Sequence, residues 1–247
     1  MRLLSFNGIE FTGMESAYRM SVDADINEMR AAGRNGAYDL LGDGFQIGNQ
    51  SYAAEFLVVD DCDDPRNQLI DQLRGAIQTP GDLIGEFDTG RRRAKARLVS
   101  VKSEPNFNDI RAGINRVICE FRAAPFWHDD ALTVSPLTSA TTLYAVNSGN
   151  AVTTKLKIAV TSAIASTLTI TNTTNGEALV YGAAKTSGVV LVIDCETGAV
   201  TVDGVNAYGN TSRADTQMEL LSLVAGQNKL IFNPAVSGKI EYRGCWV

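Results

Sequence analysis

The segment GINRVICEFRAAPFWH, residues 113–128, predicts one well-formed strand followed by a stop. Val117, Cys119 and Phe121 alternate with polar or charged neighbours, which is the period-two pattern of a half-buried strand. Pro125 then ends the strand, because proline cannot donate a hydrogen bond to a sheet. The composition of the chain changes after this segment, so the strand is predicted to be the last one of a first domain, residues 1–128.

The overall composition excludes several classes of protein. The chain has 247 residues, with 22 basic and 28 acidic residues and a net charge of -6. A protein that binds nucleic acid through phosphate charge normally has a basic excess, so this class is disfavoured. The first ten residues lack the apolar core of a signal peptide, and no apolar run approaches the ~18 residues of a membrane span. We expect a protein that is soluble, is not inserted in a membrane and folds in a cytoplasm.

The first half is predicted to be a sheet with one helix against it. Strands are expected at Leu3–Phe6, at Tyr18–Asp23 and at Ser51–Val59. A helix is expected to begin at Pro65, a favoured first helical residue, with Leu69, Ile70, Leu73 and Ile77 on its buried face.

Two features of this half are candidate contact sites. The glycine-rich stretch 27–50 is too long for a turn, so we interpret it as an arm that contacts another molecule. A hairpin is predicted from Leu83–Phe87 and Ala94–Val101, and Arg91, Arg92 and Arg93 follow its tip. A charge run of this kind is usually a solvated face. The alternative is an ion-paired contact with a neighbouring subunit or partner, because arginine binds carboxylates with two hydrogen bonds.

The second half is predicted to be all β. Residues 129–149 are rich in serine, threonine and alanine and are interpreted as a linker or a crossing strand. About eight short alternating segments follow in residues 150–247, separated by turn signals such as Asn175-Gly176. The last of them are expected at 218–223, 229–232 and 240–246. This spacing is typical of an antiparallel sandwich.

No pattern in the sequence indicates catalysis or a metal or cofactor site. His128 is the only histidine, and no nucleophile motif accompanies it. The four cysteines have no paired short spacing of the kind that zinc sites use, so they are interpreted as mostly buried free thiols. We therefore expect no enzyme activity and no cofactor. The cysteines are Cys62, Cys119, Cys195 and Cys245.

Taken in order, these motifs resemble those of the distal tail protein (Dit) family of long, non-contractile-tailed bacteriophages. In the first half the matching features are Phe6-Asn7-Gly8, the helix followed by Pro80-Gly81, the arginine-bearing hairpin and VICEFRAAPFW. The last of these has Ala124 where the family usually has an acidic residue before the proline. In the second half the matches are LTITNTTNGEALV, VVLVIDCETGAVTVDG, LSLVAGQNKLIF and IEYRGCWV.

The resemblance implies a structural virion protein without enzymatic activity. The expected fold is mainly β, with an N-terminal tail-tube-like β-sandwich or barrel flanked by one α-helix and a C-terminal antiparallel sandwich similar to galectins and carbohydrate-binding modules (CBM). The implied assembly is a hexameric ring at the virion tail tip, formed in the host cytoplasm. The ring would join the tail tube protein to the tail hub and to receptor-binding proteins or fibres, and DNA would pass through its channel without specific binding.

Two sets of residues follow from these hypotheses. Contacts between subunits are expected on the arm and the hairpin, at Arg34, Asn35, Tyr38, Arg91, Arg92 and Arg93. The alternative function is a carbohydrate-binding module that recognises a host surface glycan, for which exposed aromatic rings would stack on sugars. Its candidate contacts are Tyr181 and Tyr208, provided that both are exposed on one face.

Overall fold

The structure, a computed structural model, divides into two compact units, residues 1–127 and 128–247. The expectation of a mainly β protein with one α-helix is confirmed. The described residues are 2–11, 17–21, 28–29, 38–39, 50–59, 65–77, 79–104, 114–124, 126–214, 217 and 220–246.

The first unit is built on one antiparallel sheet, in which seven strands run in the order β2-β1-β7-β8-β9-β6-β3. Strands β4 and β5 pair separately with each other. The bounds are β1 (Arg2–Phe6), β2 (Ile9–Glu10), β3 (Ala17–Ser21), β4 (Glu28–Met29), β5 (Tyr38–Asp39), β6 (Gln50–Val59), α1 (Pro65–Gly75), β7 (Pro80–Phe87), β8 (Gly90–Glu104), β9 (Ile114–Ala123) and β10 (Trp127–Asp129), the last of which spans the boundary between the units.

The helix begins at Pro65 as predicted, and it buries Ile70 and Leu73 against the sheet. The helix ends at Gly75, before the predicted apolar position Ile77, which is 37% exposed and forms a single bridge with Leu98. The predicted helical face therefore extends two residues beyond the helix. The last helical residue is Gly75, a poor helix former.

Aromatic side chains fill the core of the first unit. The rings of Phe6 and Phe121 lie 5.2 Å apart. Trp127 packs edge-on against Tyr52, with 5.4 Å between ring centroids, and its indole N–H donates a 2.6 Å hydrogen bond to the Tyr52 hydroxyl. Phe126, the neighbour of Trp127, is 41% exposed, so only Trp127 of this pair enters the core.

The second unit forms one strand network in the order β17-β16-β15-β12-β19-β13-β14-β18, and β11 pairs with β19. A single cluster of buried aliphatic and aromatic residues fills its interior. The bounds are β11 (Thr133–Asn147), β12 (Leu156–Val160), β13 (Leu168–Asn172), β14 (Glu177–Tyr181), β15 (Leu191–Asp194), β16 (Ala199–Val202), β17 (Val205–Asn206), a 3-10 turn (Tyr208–Asn210), β18 (Thr211–Arg213), β19 (Gly226–Tyr242) and β20 (Cys245–Trp246).

One long strand organises the second unit, where the sequence suggested shorter ones. Strand β19 has 17 residues and covers the whole strand expected at 229–232 and the first part of the one expected at 240–246. Along one edge it pairs with β11, while β13 and β12 follow each other along the other edge. The linker interpretation of residues 129–149 is therefore wrong over 133–147, and the alternative, a crossing strand, describes β11. The chain is held there by pairing with β19 along almost its whole length.

Buried amide side chains fix the segment that leads into β19. The Asn228 carboxamide oxygen accepts from the amide of Val224 at 2.9 Å, and its nitrogen donates to the carbonyls of Val224 and Gly226. Asn172 donates to Asn228 at 3.0 Å and to the Ser222 carbonyl at 2.8 Å. Both asparagines are completely buried. A strand was expected at 218–223. Within the described residues 220–223 the structure has only a bridge of Leu223 with Thr153, and the hydrogen bonds of the two asparagines hold this segment instead.

Candidate interaction surface

The outward face of β8 carries a row of basic side chains. Arg91, Lys95 and Arg97 are exposed and Arg93 is half-buried, and they alternate along the strand with buried residues such as Ala94. The alternation follows from strand geometry, because successive side chains point to opposite faces of a sheet. The sequence Arg-x-Arg-x-Lys-x-Arg at 91–97 therefore becomes a line of four basic residues on one face.

The same geometry separates the three consecutive arginines. Arg92 points to the opposite face from Arg91 and Arg93, and its guanidinium group lies 4.4 Å from the centre of the Phe87 ring. Its Nη2 atom donates a 2.5 Å hydrogen bond to the Thr89 hydroxyl. Arg92 therefore stabilises the hairpin tip, and the arginines do not form one cluster.

One carboxylate serves two of the basic residues. Lys95 Nζ lies 2.8 Å from Asp82 Oδ1, and Arg93 Nη1 lies 3.4 Å from Asp82 Oδ2. The cross-strand register places Lys95 directly opposite Asp82. Asp82 therefore forms ion pairs with two cations on β8.

The next position on this face brings two cations together. Arg97 of β8 is directly opposite Arg122 of β9, and both side chains are exposed. Like charges directly opposite each other destabilise a sheet. Two other cations of the same sheet lie beside carboxylates: Lys102 lies 3.0 Å from Glu120, and Arg116 lies 2.5 Å from Glu55. Hydrogen bonds from Ser100 and Lys102 also lower the pKa of Glu120.

A cavity of about 550 Å³ opens beside this pair of arginines. Of the described residues that line it, three are basic and none is acidic, while the remainder are small or apolar. The lining residues are Pro80, Lys95, Ala96, Arg97, Val99, Arg122, Ala123 and Ala124. An anionic group is the chemical complement of such a cavity. We name this site, Lys95, Arg97 and Arg122 with the adjoining cavity, the basic cleft.

The sequence identified part of this surface and missed the rest. Arg91 and Arg93 lie on the basic face, but Lys95, Arg97 and Arg122 were not singled out. The alternation of basic residues through 91–97 could have revealed the first two, whereas the approach of Arg122 depends on the pairing of β8 with β9. Arg34 and Asn35 lie outside the described residues, and Tyr38 is in β5, opposite Met29.

The two candidate sugar-binding tyrosines do not share an exposed face. Tyr181 is 2% exposed and belongs to the core of the second unit, because β14 pairs on both sides and turns this residue inward. Tyr208 is 42% exposed, and its hydroxyl accepts a 2.8 Å hydrogen bond from Arg213. The prediction that Tyr181 and Tyr208 together form an exposed surface for stacking on a sugar is therefore wrong.

His128 and the cysteines are in surroundings that favour their neutral forms. Burial, followed by the nearby charge of Lys155, lowers the pKa of His128 to about 4. Burial raises the pKa of the Cys119 thiol to about 12 and that of Cys245 to about 11. Cys195 is also a buried free thiol, and Cys62 lies outside the described residues.

The described part of the chain has neither a metal-binding cluster nor a membrane-spanning helix. Its histidine, cysteine, aspartate and glutamate side chains form no group of three that could hold a metal ion. None of its helices is both long and apolar enough to cross a membrane.

Comparison with known proteins finds similarity to phage tail components. Residues 148–246 match the family described as siphovirus-type tail component, C-terminal domain. The crystal structure of the Dit protein of phage SPP1, described as a paradigm of the hub adsorption apparatus in phages that infect Gram-positive bacteria, matches with a TM-score of 0.67. The match covers 100% of this chain and 99% of that chain, at 13% sequence identity. At that identity it shows a shared fold.

Two structures of the phage p2 baseplate in its activated conformation also match, at 9% identity. The form with strontium has a TM-score of 0.41 and covers 98% of this chain and 89% of that one. The form with calcium has a TM-score of 0.43, with 98% and 90% covered. No curated protein matches the chain in sequence. The resemblance to the distal tail protein family is confirmed by the family match and by the fold shared with SPP1 Dit.

Proposed function

We propose that this chain, whose residues 148–246 match the siphovirus-type tail component family, is the distal tail protein of a long-tailed phage. It acts as a structural adaptor at the tail tip. The observation that carries the proposal is the match of the whole chain, 100% against 99%, to the fold of SPP1 Dit.

We propose that the protein works as a hexameric ring. The ring joins the tail tube protein to the tail hub and to receptor-binding proteins or fibres, after assembly in the host cytoplasm, and it leaves a channel through which DNA passes without specific binding. A closed ring suits the first unit, because exposed sheet edges are protected when neighbouring subunits cover them.

We infer that the subunit contacts lie on the first unit. The arm at 27–50, with Arg34, Asn35 and Tyr38, supplies one part, and the hairpin arginines supply another. Within the hairpin Arg91 is exposed, whereas Arg92 packs on Phe87 and Arg93 pairs with Asp82. Arg91 is therefore the arginine best placed to reach a neighbour. Glycan recognition is not part of the proposal, since Tyr181 is buried.

The test is the solution mass of the purified protein, measured by light scattering and supported by negative-stain images. We expect six copies, or two stacked rings of six, around a central hole. A protein that stays monomeric at high concentration, both alone and together with its tail tube and hub partners, would refute the ring.

A further inference from the structure

The chain contains three Asn-Gly pairs, and two of them lie in turns that the structure describes. Asn7-Gly8 lies in the turn between β1 and β2, and Asn175-Gly176 lies in the turn between β13 and β14. The third pair, at 35–36, is outside the described residues. In both described pairs the glycine has a φ of 80°, and a side chain added to it would meet no atom within 4 Å. The two pairs are therefore matched in sequence and in glycine conformation, and they differ in their surroundings.

We propose that Asn7 is a site of spontaneous deamidation and that the fold protects Asn175 from the same reaction. The main-chain nitrogen of the following glycine attacks Cγ of the asparagine, because a residue without a side chain leaves this approach open. The new N–C bond closes a succinimide ring, and the Cγ–Nδ2 bond breaks to release ammonia, which takes up the proton that the glycine nitrogen loses. Water then opens the ring at either carbonyl and gives aspartate or isoaspartate. The inference concerns a modification of the first unit and does not depend on the proposed ring.

Hydrogen bonds hold both of the groups that would react at Asn175. The main-chain nitrogen of Gly176 donates to the Asn172 carbonyl at 2.9 Å. The Asn175 Oδ1 atom accepts from the amide of Glu177 at 3.1 Å, and its Nδ2 atom donates to the Ser222 hydroxyl at 3.1 Å. Ser222 is itself buried, and its hydroxyl donates to the Glu177 carboxylate at 2.9 Å. The reaction would have to break bonds on the attacking nitrogen and on the carboxamide, which costs free energy before the ring can close.

The corresponding groups of Asn7 and Gly8 are open to reaction. Both residues are exposed. Among the described residues, none forms a hydrogen bond with the Gly8 main-chain nitrogen or with the Asn7 carboxamide. The Asn7 main-chain N–H donates to the Asp82 carbonyl at 2.9 Å, which positions the turn and leaves the two reacting groups uninvolved. The Gly8 nitrogen can therefore reach Cγ of Asn7 without first breaking a bond to another part of the described chain.

Deamidation at Asn7 would act on the core of the first unit. Isoaspartate lengthens the main chain by one carbon atom, inside a short turn that is flanked by the pair Phe6 and Ile9. The register of a hairpin depends on the length of its turn, so a longer main chain moves this pair out of position. Phe6 is completely buried, and its ring lies 5.2 Å from the ring of Phe121. We therefore expect the first unit to lose stability as the product accumulates.

The experiment follows the full-length protein during incubation at mildly alkaline pH, which speeds the reaction because the attacking nitrogen must lose its proton. Samples taken over time are digested at acid pH, where the reaction is slow. Mass spectrometry then measures the fraction of aspartate and isoaspartate in the peptides that contain Asn7 and Asn175. The matched reference is the same chain unfolded in guanidinium chloride, where the fold no longer distinguishes the two pairs. Circular dichroism shows that the native sample stays folded, and differential scanning calorimetry records the unfolding temperature of each unit before and after incubation.

If the inference is correct, Asn7 in the folded protein deamidates at least about tenfold faster than Asn175, because only the second site has hydrogen bonds on both reacting groups. In guanidinium chloride the two rates should be similar. The unfolding temperature of the first unit should fall as the product accumulates, while that of the second unit stays the same. Ser222→Ala, which removes the bond to Asn175 Nδ2, should raise the rate at Asn175 and leave the rate at Asn7 unchanged.

Equal rates at the two sites of the folded protein would overturn the inference. So would an Asn7 that stays unmodified while the unfolded chain reacts. A difference in rate that persists unchanged in guanidinium chloride would assign it to the neighbouring sequence and would overturn protection by the fold. Deamidation of Asn7 without a lower unfolding temperature of the first unit would overturn the predicted effect on the core.

Discussion

The two units place their polar side chains in opposite ways. The second unit buries amides such as Asn172 and Asn228 and satisfies them with its own backbone. The first unit spreads basic side chains over one face of its sheet and sets Arg97 against Arg122. A polar group that is satisfied internally specifies the fold of its own unit. Two facing cations destabilise the strand pair that carries them. The second unit therefore uses its buried polar groups for stability, whereas the first unit sets two of its charges against each other.

The largest effect should come from removing a buried amide of the second unit. Asn228→Ala deletes three hydrogen bonds to backbone groups and one to Asn172, all in a buried setting, and it leaves those partners unsatisfied. We expect the free energy of unfolding of the second unit to fall by about 3 to 4 kcal/mol. Differential scanning calorimetry, which records the unfolding of each unit, measures this change in free energy.

The matched control for this change is Asn206→Ala, which removes one exposed hydrogen bond to the Tyr208 amide. It should cost less than about 1 kcal/mol. If Asn228→Ala lowered the unfolding temperatures of both units equally, the polar network would stabilise both units. That outcome would contradict the proposed difference between them.

Acid should weaken the second unit by a smaller amount. Burial lowers the pKa of His128 from 6.5 to about 4. The unfolded chain therefore binds a proton below pH 6.5 while the folded unit stays neutral at this side chain until pH 4, so stability is complete above 6.5 and is lost as the pH falls toward 4. We expect a loss of about 2 kcal/mol after allowance for the partial exposure of the ring. In His128→Gln this part of the pH dependence should disappear; a pH profile identical to that of the wild type would contradict the assignment.

The smallest effect has the opposite sign and sharpens the contrast. Arg97→Thr removes one of two facing cations from the first unit, and threonine favours strands. The free energy of unfolding of dilute, unassembled protein should rise by about 0.5 kcal/mol. Lys102→Thr, which breaks the 3.0 Å ion pair with Glu120, should leave it unchanged or lower it slightly. Equal effects of the two variants would show that Arg97 and Arg122 do not repel each other.

Local patterns in the sequence predicted much of the fold. The alternation of Val117, Cys119 and Phe121 located β9, Pro65 marked the start of the helix, and the turn signal at Asn175-Gly176 gave the hairpin of β13 and β14. These features depend on residues close together in the chain. The ordered set of such motifs was also enough for the family resemblance.

Features that depend on distant residues were not predictable. Strand β19 was divided into two because Pro234 and Gly238 interrupt its pattern, yet pairing with β11, β12 and β13 makes it continuous. Tyr181 was a candidate surface residue, and its packing shows that it is buried. The basic cleft needs the register of β8 against β9, which no single segment encodes.

The pairing of β11 with β19 also determines how the second unit would respond to tension. These two long strands run side by side and antiparallel, with Thr133 near the start of the unit opposite Tyr242 near its end. The Trp246 indole N–H and the Asp129 carboxylate join the two ends, at 2.7 Å. A force that pulls residues 128 and 246 apart would therefore load these bonds one after another and peel the strands open from one end. A force applied along the strands would load many bonds at once, so the unit is mechanically weak in one direction and strong in the other.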